Sequence, residues 1–322
     1  MRVSSVLLMA ALWLVLAAPA CAQFKKGKDE PNGPKTGQTQ VSYWRAGMVI
    51  KASGGACRGM TGYAPVPTDW PEQEVSVVKE DISPEAKVSY ETVDGGVRIM
   101  NVRVGQLGSG QEAKALVTME IRRSTILPPD NTDIYVLPDP KKLTRQIRLY
   151  LGPSPKIESR DPKIQKLAKE IVADKEKAWD RVEAIYDWVR AKVKYENGPL
   201  KGALAALKDG TGDCEELSSL FIALCRAVDI PARTVWVPGH CYSEFYLLDD
   251  KGEGHWFPCQ SAGSREFGGI TELRPILQKG DSFRPPRGGK ERQRYMAESL
   301  TGTPMPGGGK PQVTFVREKV AK

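Results

Sequence analysis

Cys214 follows a glycine turn, Thr211-Gly212-Asp213, and leads into an apolar stripe of Leu217, Leu220, Phe221, Leu224 and Val228. That spacing is helical, so the cysteine opens a buried amphipathic helix. Asp213 suits the N-cap, and Glu215 and Glu216 suit the first turn. The unpaired N–H groups and partial positive charge of a helix start favour thiolate over thiol, and the same N–H groups can hold a developing oxyanion. Cys225 lies mid-helix beside Leu224 and Ala227 and reads as packing. A cysteine nucleophile also needs a base that protonates the leaving group. The chain has two histidines. His240 follows a predicted strand, Thr234-Val235-Trp236-Val237, and opens an alternating run, His240-Tyr242-Glu244. His255 sits beside the turn at 249–254 and is expected to face solvent. Cys214 with His240 points to acyl transfer through a thioester.

The elements around these residues carry a resemblance. The segments GDCEELSSLFIALCRAVDIPART, HCYSEFYL and HWFPCQ occur in order. Together they resemble the transglutaminase-like superfamily of papain-like cysteine enzymes over residues 145–262. The resemblance implies a Cys at a helix start, a His in an H-x-[aromatic]-x-E strand and a W-x-P-x-D strand. Those positions are Cys214, His240 with Tyr242 and Glu244, and Trp256 with Pro258. The family's Asp is replaced here by Gln260. A neutral amide can fix the imidazole tautomer through its carbonyl oxygen, and papain-like proteases use Asn in this role. Three site residues are therefore expected: Cys214, His240 and Gln260. If Gln260 meets His240 across adjacent antiparallel strands, Cys241 falls opposite Cys259, and a Cys241–Cys259 disulfide is expected. The alternative is two small core cysteines. Five cysteines remain after residue 22, which suits one free reactive thiol plus pairs.

Residues 1–22 read as a secretory signal: Arg2, an apolar run, then Ala20-Cys21-Ala22 as the cleavage site. The expectation is a secreted or periplasmic protein; a lipoprotein at Cys21 is the alternative. Residues 23–40 read as a disordered linker. Residues 41–140 carry β texture, with a hairpin signal at Asp94-Gly95-Gly96 and strands at 115–121 and 133–137, and are expected to form an Ig-like β-sandwich. The Gly105, Gly108, Gly110 cluster reads as a loop and not as a phosphate cradle. Asp161-Pro162 starts one helix, and Trp179, Val182, Ile185, Tyr186 and Val189 mark the core face of a second. Residues 263–322 form a C-terminal extension without readable chemistry, expected to be solvated with one docked strand at 313–316.

The expected architecture is α+β: a papain-like transglutaminase core, with the helix-start Cys packed on an antiparallel sheet that carries His, preceded by the sandwich. Net charge is +8, with the basic residues scattered and no nucleic-acid motif. That balance suits a solvated basic surface, or attraction to an anionic cell envelope. The expected reaction is hydrolysis of a peptide or isopeptide bond, or protein-glutamine cross-linking. Two other classes compete: a catalytically inactive domain that grips peptide or envelope, and a structural envelope protein bound through its β domain. The reading calls for no cofactor and no metal, and for a monomer with a peptide or protein substrate.

Overall fold

The computed structural model describes residues 32–286 and 291–322. The expected signal peptide and Cys21 lie outside the described residues. Six antiparallel strands come first: β1 (Lys35–Lys51), β2 (Cys57–Val66), β3 (Gln73–Ile82), β4 (Ala86–Val93), β5 (Val97–Leu107) and β6 (Glu112–Leu127). The Asp94-Gly95-Gly96 turn joins β4 to β5, as its composition predicts. Inward-facing residues alternate along the strands, and Met48, Ile50, Met60, Val102, Val104, Val117 and Met119 form one core.

The second half begins with a single turn, α1 (Arg145–Arg148), then α2 (Pro162–Ile171) and α3 (Ala178–Lys192). Asp161 caps α2 through Lys163 N–H at 2.8 Å, with Pro162 at the first helical position. A two-residue parallel pair, β7 (Lys194–Tyr195) and β8 (Thr211–Gly212), brackets α4 (Ala203–Asp209). Then come α5 (Cys214–Ala227), β9 (Ala232–Val237), β10 (His240–Leu248), β11 (Gly254–Gln260), β12 (Glu266–Phe267) and β13 (Gln278–Lys279), followed by β14 (Ser299–Pro304) and β15 (Gln312–Val320). The five-stranded sheet runs β12-β11-β10-β9-β13. One of its faces packs on α5 and α3, where Leu220, Phe221 and Leu224 meet Phe245 and Phe257. Trp179 lies edge-on to Phe245, Phe257 and Phe267 at ring separations of 5.2–5.5 Å.

The chain's end returns to its beginning. β15 pairs with β1, and β14 with β2, so the two sandwich sheets run β15-β1-β6-β3 and β14-β2-β5-β4. The extension is therefore divided between the two halves: β12 and β13 join the core sheet and β14 and β15 the sandwich, four strands rather than one. Two further expectations are corrected. The supposed linker is ordered from Lys35, where β1 pairs with the end of β6. Residues 133–137 form no strand, and only Val136 bridges to Leu248.

A buried polar layer joins sandwich to core. Arg123 of β6 is fully buried and donates to the Tyr242 hydroxyl at 3.1 Å. Gln73 exchanges two hydrogen bonds with the Ile276 backbone, at 2.6 and 3.0 Å. The Lys279 ammonium lies 2.6 Å from Glu72 and 2.5 Å from Glu244, whose other oxygen sits 2.7 Å from Arg233. Two carboxylates thus face two cations, and the cluster is neutral.

Candidate active site

Cys214 occupies the first position of α5. Asp213 accepts from Glu215 N–H at 2.7 Å, and Glu216 reaches back to Asp213 N–H at 3.3 Å, closing a capping box. The other Glu216 oxygen accepts from Lys201 N–H at 2.9 Å and Gly202 N–H at 3.4 Å. The Glu216 carboxylate thus ties the loop before α4 to the helix start. Gly212 makes room for this: a Cβ there would sit 2.3 Å from the Glu216 Cβ. From the C-terminal segment, Arg294 donates to the Glu215 carboxylate at 2.9 Å and its carbonyl at 3.2 Å.

The tight β9–β10 turn at Pro238-Gly239, with Gly239 at φ +70°, delivers His240 and Cys241 to the same place. His240 Nε2 lies 2.8 Å from Gln260 Oε1. The three expected site residues therefore meet: His240 acts on the Cys214 thiol, and Gln260 backs His240.

The register that brings His240 to Gln260 differs from the one expected. Ser243, not Cys241, faces Cys259, so the contact is diagonal and is spanned by two long side chains. The Cys241–Cys259 disulfide is accordingly not formed, and Cys57, Cys214, Cys225, Cys241 and Cys259 are all free thiols. Cys241 instead turns to the helix that Cys214 opens. Its sulfur lies 3.5 Å from the Cys214 carbonyl and 3.9 Å from the Ser218 hydroxyl.

The electrostatics of the cluster favour charge separation. The Cys241 side chain, then His240 and the Cys241 backbone N–H favour the charged form of Cys214. Against the upward push of burial they hold its pKa down to about 4. His240 is raised: burial pushes it down, but hydrogen bonds to Cys214 and Gln260 and the thiolate's charge outweigh that. Cys241 is pushed well up by the neighbouring thiolate and by burial, and Cys225 by burial, so both stay neutral.

Sequence reasoning missed or misplaced five side chains. Glu266, in β12, pairs in register with Gln260 and accepts from its amide nitrogen at 3.3 Å. No periodicity marks a two-residue strand. Arg274 places a guanidinium whose charge acts on both Cys214 and His240, donates to the Pro238 carbonyl at 2.9 Å and pairs with Glu272 at 2.5 Å. His255 is buried rather than solvent-facing, because Asp249 turns inward and meets its Nε2 at 3.2 Å. Glu244 of the H-x-[aromatic]-x-E strand lies in the buried charge cluster away from the thiol, and Trp256 stacks on Arg233 at 4.0 Å. Among the described residues no group of three or more His, Cys, Asp or Glu could hold a metal ion. No helix among them is long and apolar enough to cross a membrane.

Residues 165–261 match the model of the transglutaminase-like superfamily. No curated protein matches the chain. Among solved structures, a candidate cysteine protease from Cytophaga hutchinsonii is similar at 17% identity and TM-score 0.55, covering 90% of this chain and 93% of that one. The likeness is one of fold and extends over the sandwich and the core together. The periplasmic domain of TgpA from Pseudomonas aeruginosa is similar at 12% identity and TM-score 0.33, over 70% of this chain and 90% of that one.

Proposed function

For a chain whose residues 165–261 match the transglutaminase-like superfamily, we propose cysteine-dependent acyl transfer at amide bonds, with peptide or isopeptide hydrolysis as the outcome. The observation that carries the reading is the meeting of Cys214, at the capped start of α5, with His240, whose Nε2 lies 2.8 Å from Gln260 Oε1; the thiol held down to about 4 and the raised histidine agree with it. The Cys214 thiolate attacks the amide carbonyl carbon, and the oxyanion that forms is held by backbone N–H groups at the start of α5. His240 gives its proton to the amine nitrogen as the C–N bond breaks, leaving a thioester. Neutral His240 then takes a proton from water as the oxygen attacks the thioester carbon. The C–S bond breaks, the acid leaves, and thiolate and imidazolium are restored. Gln260 holds the ring in place. With an amine instead of water, the same steps cross-link glutamine side chains.

Export through the signal at residues 1–22 puts this chemistry in the periplasm or outside the cell. Cys57, Cys225, Cys241 and Cys259 are buried and Cys214 is half-buried, so Cys214 is the described thiol most open to a reagent.

The test is the pH dependence of iodoacetamide labelling of the protein lacking residues 1–22. Wild type should label at pH 5. In His240→Ala the onset should move up toward the ordinary thiol range of about 8.5. Fluorogenic peptides, with and without an added primary amine, then distinguish hydrolysis from transfer. Labelling that begins only near pH 8 in both proteins would overturn the reading in favour of a peptide-gripping domain.

A further inference from the structure

We infer that Glu266 is a positioning residue of this site: an acceptor-only carboxylate that sets the orientation of the Gln260 amide and, through it, the tautomer of His240. The inference rests on the acyl-transfer reading for its purpose but on geometry for its content. An amide side chain offers an oxygen on one side and an NH2 group on the other, and nothing in Gln260 itself decides which faces the histidine. A carboxylate on the far side decides it. The Glu266 carboxylate can only accept, so the NH2 group turns to it, at 3.3 Å. The oxygen must then face His240 Nε2, at 2.8 Å. A carbonyl oxygen can only accept, so Nε2 carries the proton. Nδ1 is left as the nitrogen that exchanges a proton with Cys214. The family's carboxylate is thus displaced by one strand, and its charge acts through an amide.

The surroundings hold both ends of this relay still. Tyr186 of α3 donates its hydroxyl to the Gln260 carbonyl at 2.8 Å and accepts from Glu266 N–H at 2.9 Å, one hydroxyl fixing both backbones. Arg190 of the same helix donates to the carbonyls of Ser261 at 3.0 Å and Gly263 at 2.9 Å, bracing the turn between them. Phe267 packs under Trp179 and Tyr186, with ring centroids 5.2 and 5.1 Å away. Side chains alternate along a strand, so an inward Phe267 sends Glu266 to the Gln260 side. The second Glu266 oxygen accepts from Thr271 N–H at 2.9 Å and from its hydroxyl, which fixes the carboxylate plane. The charged groups acting on His240 from other elements are Cys214, Arg274 and Glu272. None of them touches the Gln260 amide.

The experiment reads the tautomer directly. The chain has two histidines, so 15N-histidine labelling gives two ring systems. In Cys214→Ala at pH 8, neutral His240 should be one tautomer, protonated at Nε2. Adding Glu266→Gln, which fills the same space but offers both donor and acceptor, should give comparable populations of two tautomers, and Glu266→Ala likewise. Thr271→Val, which loses the hydroxyl contact and keeps the carboxylate, should leave the single tautomer intact. On the Cys214 background, iodoacetamide labelling at pH 6 should slow about tenfold in both Glu266 variants, the lower end of what outer hydrogen-bond partners of functional histidines supply. An unchanged tautomer in both Glu266 variants overturns the inference, as does an equal disturbance in Thr271→Val. A wild type that fails to label at low pH sinks the acyl-transfer reading alone, because the tautomer readout needs no reactive cysteine.

Discussion

At the scale of single residues, the unusual neighbour of Cys214 is a second cysteine. Among the influences that depress the Cys214 pKa, the Cys241 side chain is the largest. Removing a donor to a thiolate raises the thiol's pKa. Cys241→Ala should therefore shift the labelling midpoint upward from about 4 while His240 and the Cys241 backbone N–H still act. Cys241→Ser keeps a hydroxyl donor and should hold it down. The check is the labelling rate at pH 5, which should fall in the alanine variant and persist in the serine variant, with all three proteins converging at pH 9. Cys214 and His240 were legible in the sequence because each announces itself locally, one by a helix start and one by strand alternation in a chain with two histidines. Gln260 was legible through the resemblance. Cys241 and Glu266 were not. Their roles arise from the packing of β10 on α5 in one case and a two-residue strand in the other, and neither leaves a periodic trace. His255 was misjudged because the Asp249 turn beside it reads as solvent-facing, whereas hydrogen bonds from Asn32, Glu253 N–H, His255 and Lys251 N–H outweigh burial and hold the inward Asp249 carboxyl at about 2.

At the scale of elements, the placement of Cys214 depends on how α5 starts. Gly212 carries no backbone constraint of its own, since its φ is ordinary, so its value is steric. Gly212→Ala drives a methyl into the Glu216 Cβ at 2.3 Å and the Cγ at 3.0 Å. Glu216 is buried and held by three backbone N–H groups, so it has nowhere to yield. The variant should lose about 1–3 kcal/mol by overpacking. Urea unfolding should show a lower midpoint at an unchanged slope, and labelling of the folded protein at pH 5 should slow as the capping box opens. Helix starts were the most readable elements, because Asp161-Pro162 and Asp213 carry their caps in sequence. The first turns of β1 were hidden for the opposite reason. Residues 35–40 are mostly exposed on both faces, so no hydrophobic alternation distinguishes them from a linker. The apparent strand at 133–137 had alternation but meets β10 only at its last residue, Leu248, through a single bridge from Val136.

For the whole molecule, the sandwich and the papain-like core are one structure held by buried charge. Glu244 is the centre of that argument. Burial pushes its carboxyl up, but Lys279 and Arg233 hold it down to about 2, below its ordinary 4.5. A carboxyl depressed in the folded state adds stability above its unfolded value. That contribution is lost as pH falls from about 4.5 toward 2. Lys279→Met removes the cation shared by Glu72 and Glu244 and leaves two buried carboxylates to one arginine. Breaking such a cluster at one partner should cost about 3–5 kcal/mol at pH 7. The deficit should shrink on acidification, because a carboxyl that takes up a proton in the folded variant no longer needs the ammonium, while wild type loses its own advantage over the same range. Urea midpoints for both proteins at pH 7, 5 and 3.5 give the answer. A gap that narrows steadily identifies the carboxylates as the source, and a constant gap assigns the loss to packing around the lysine stem. Glu72 precedes β3 of the sandwich, and Glu244 sits on the strand that begins with His240. The same variant should therefore also slow Cys214 labelling if the junction sets the position of β10, a link between the two halves that neither half's sequence pattern carries.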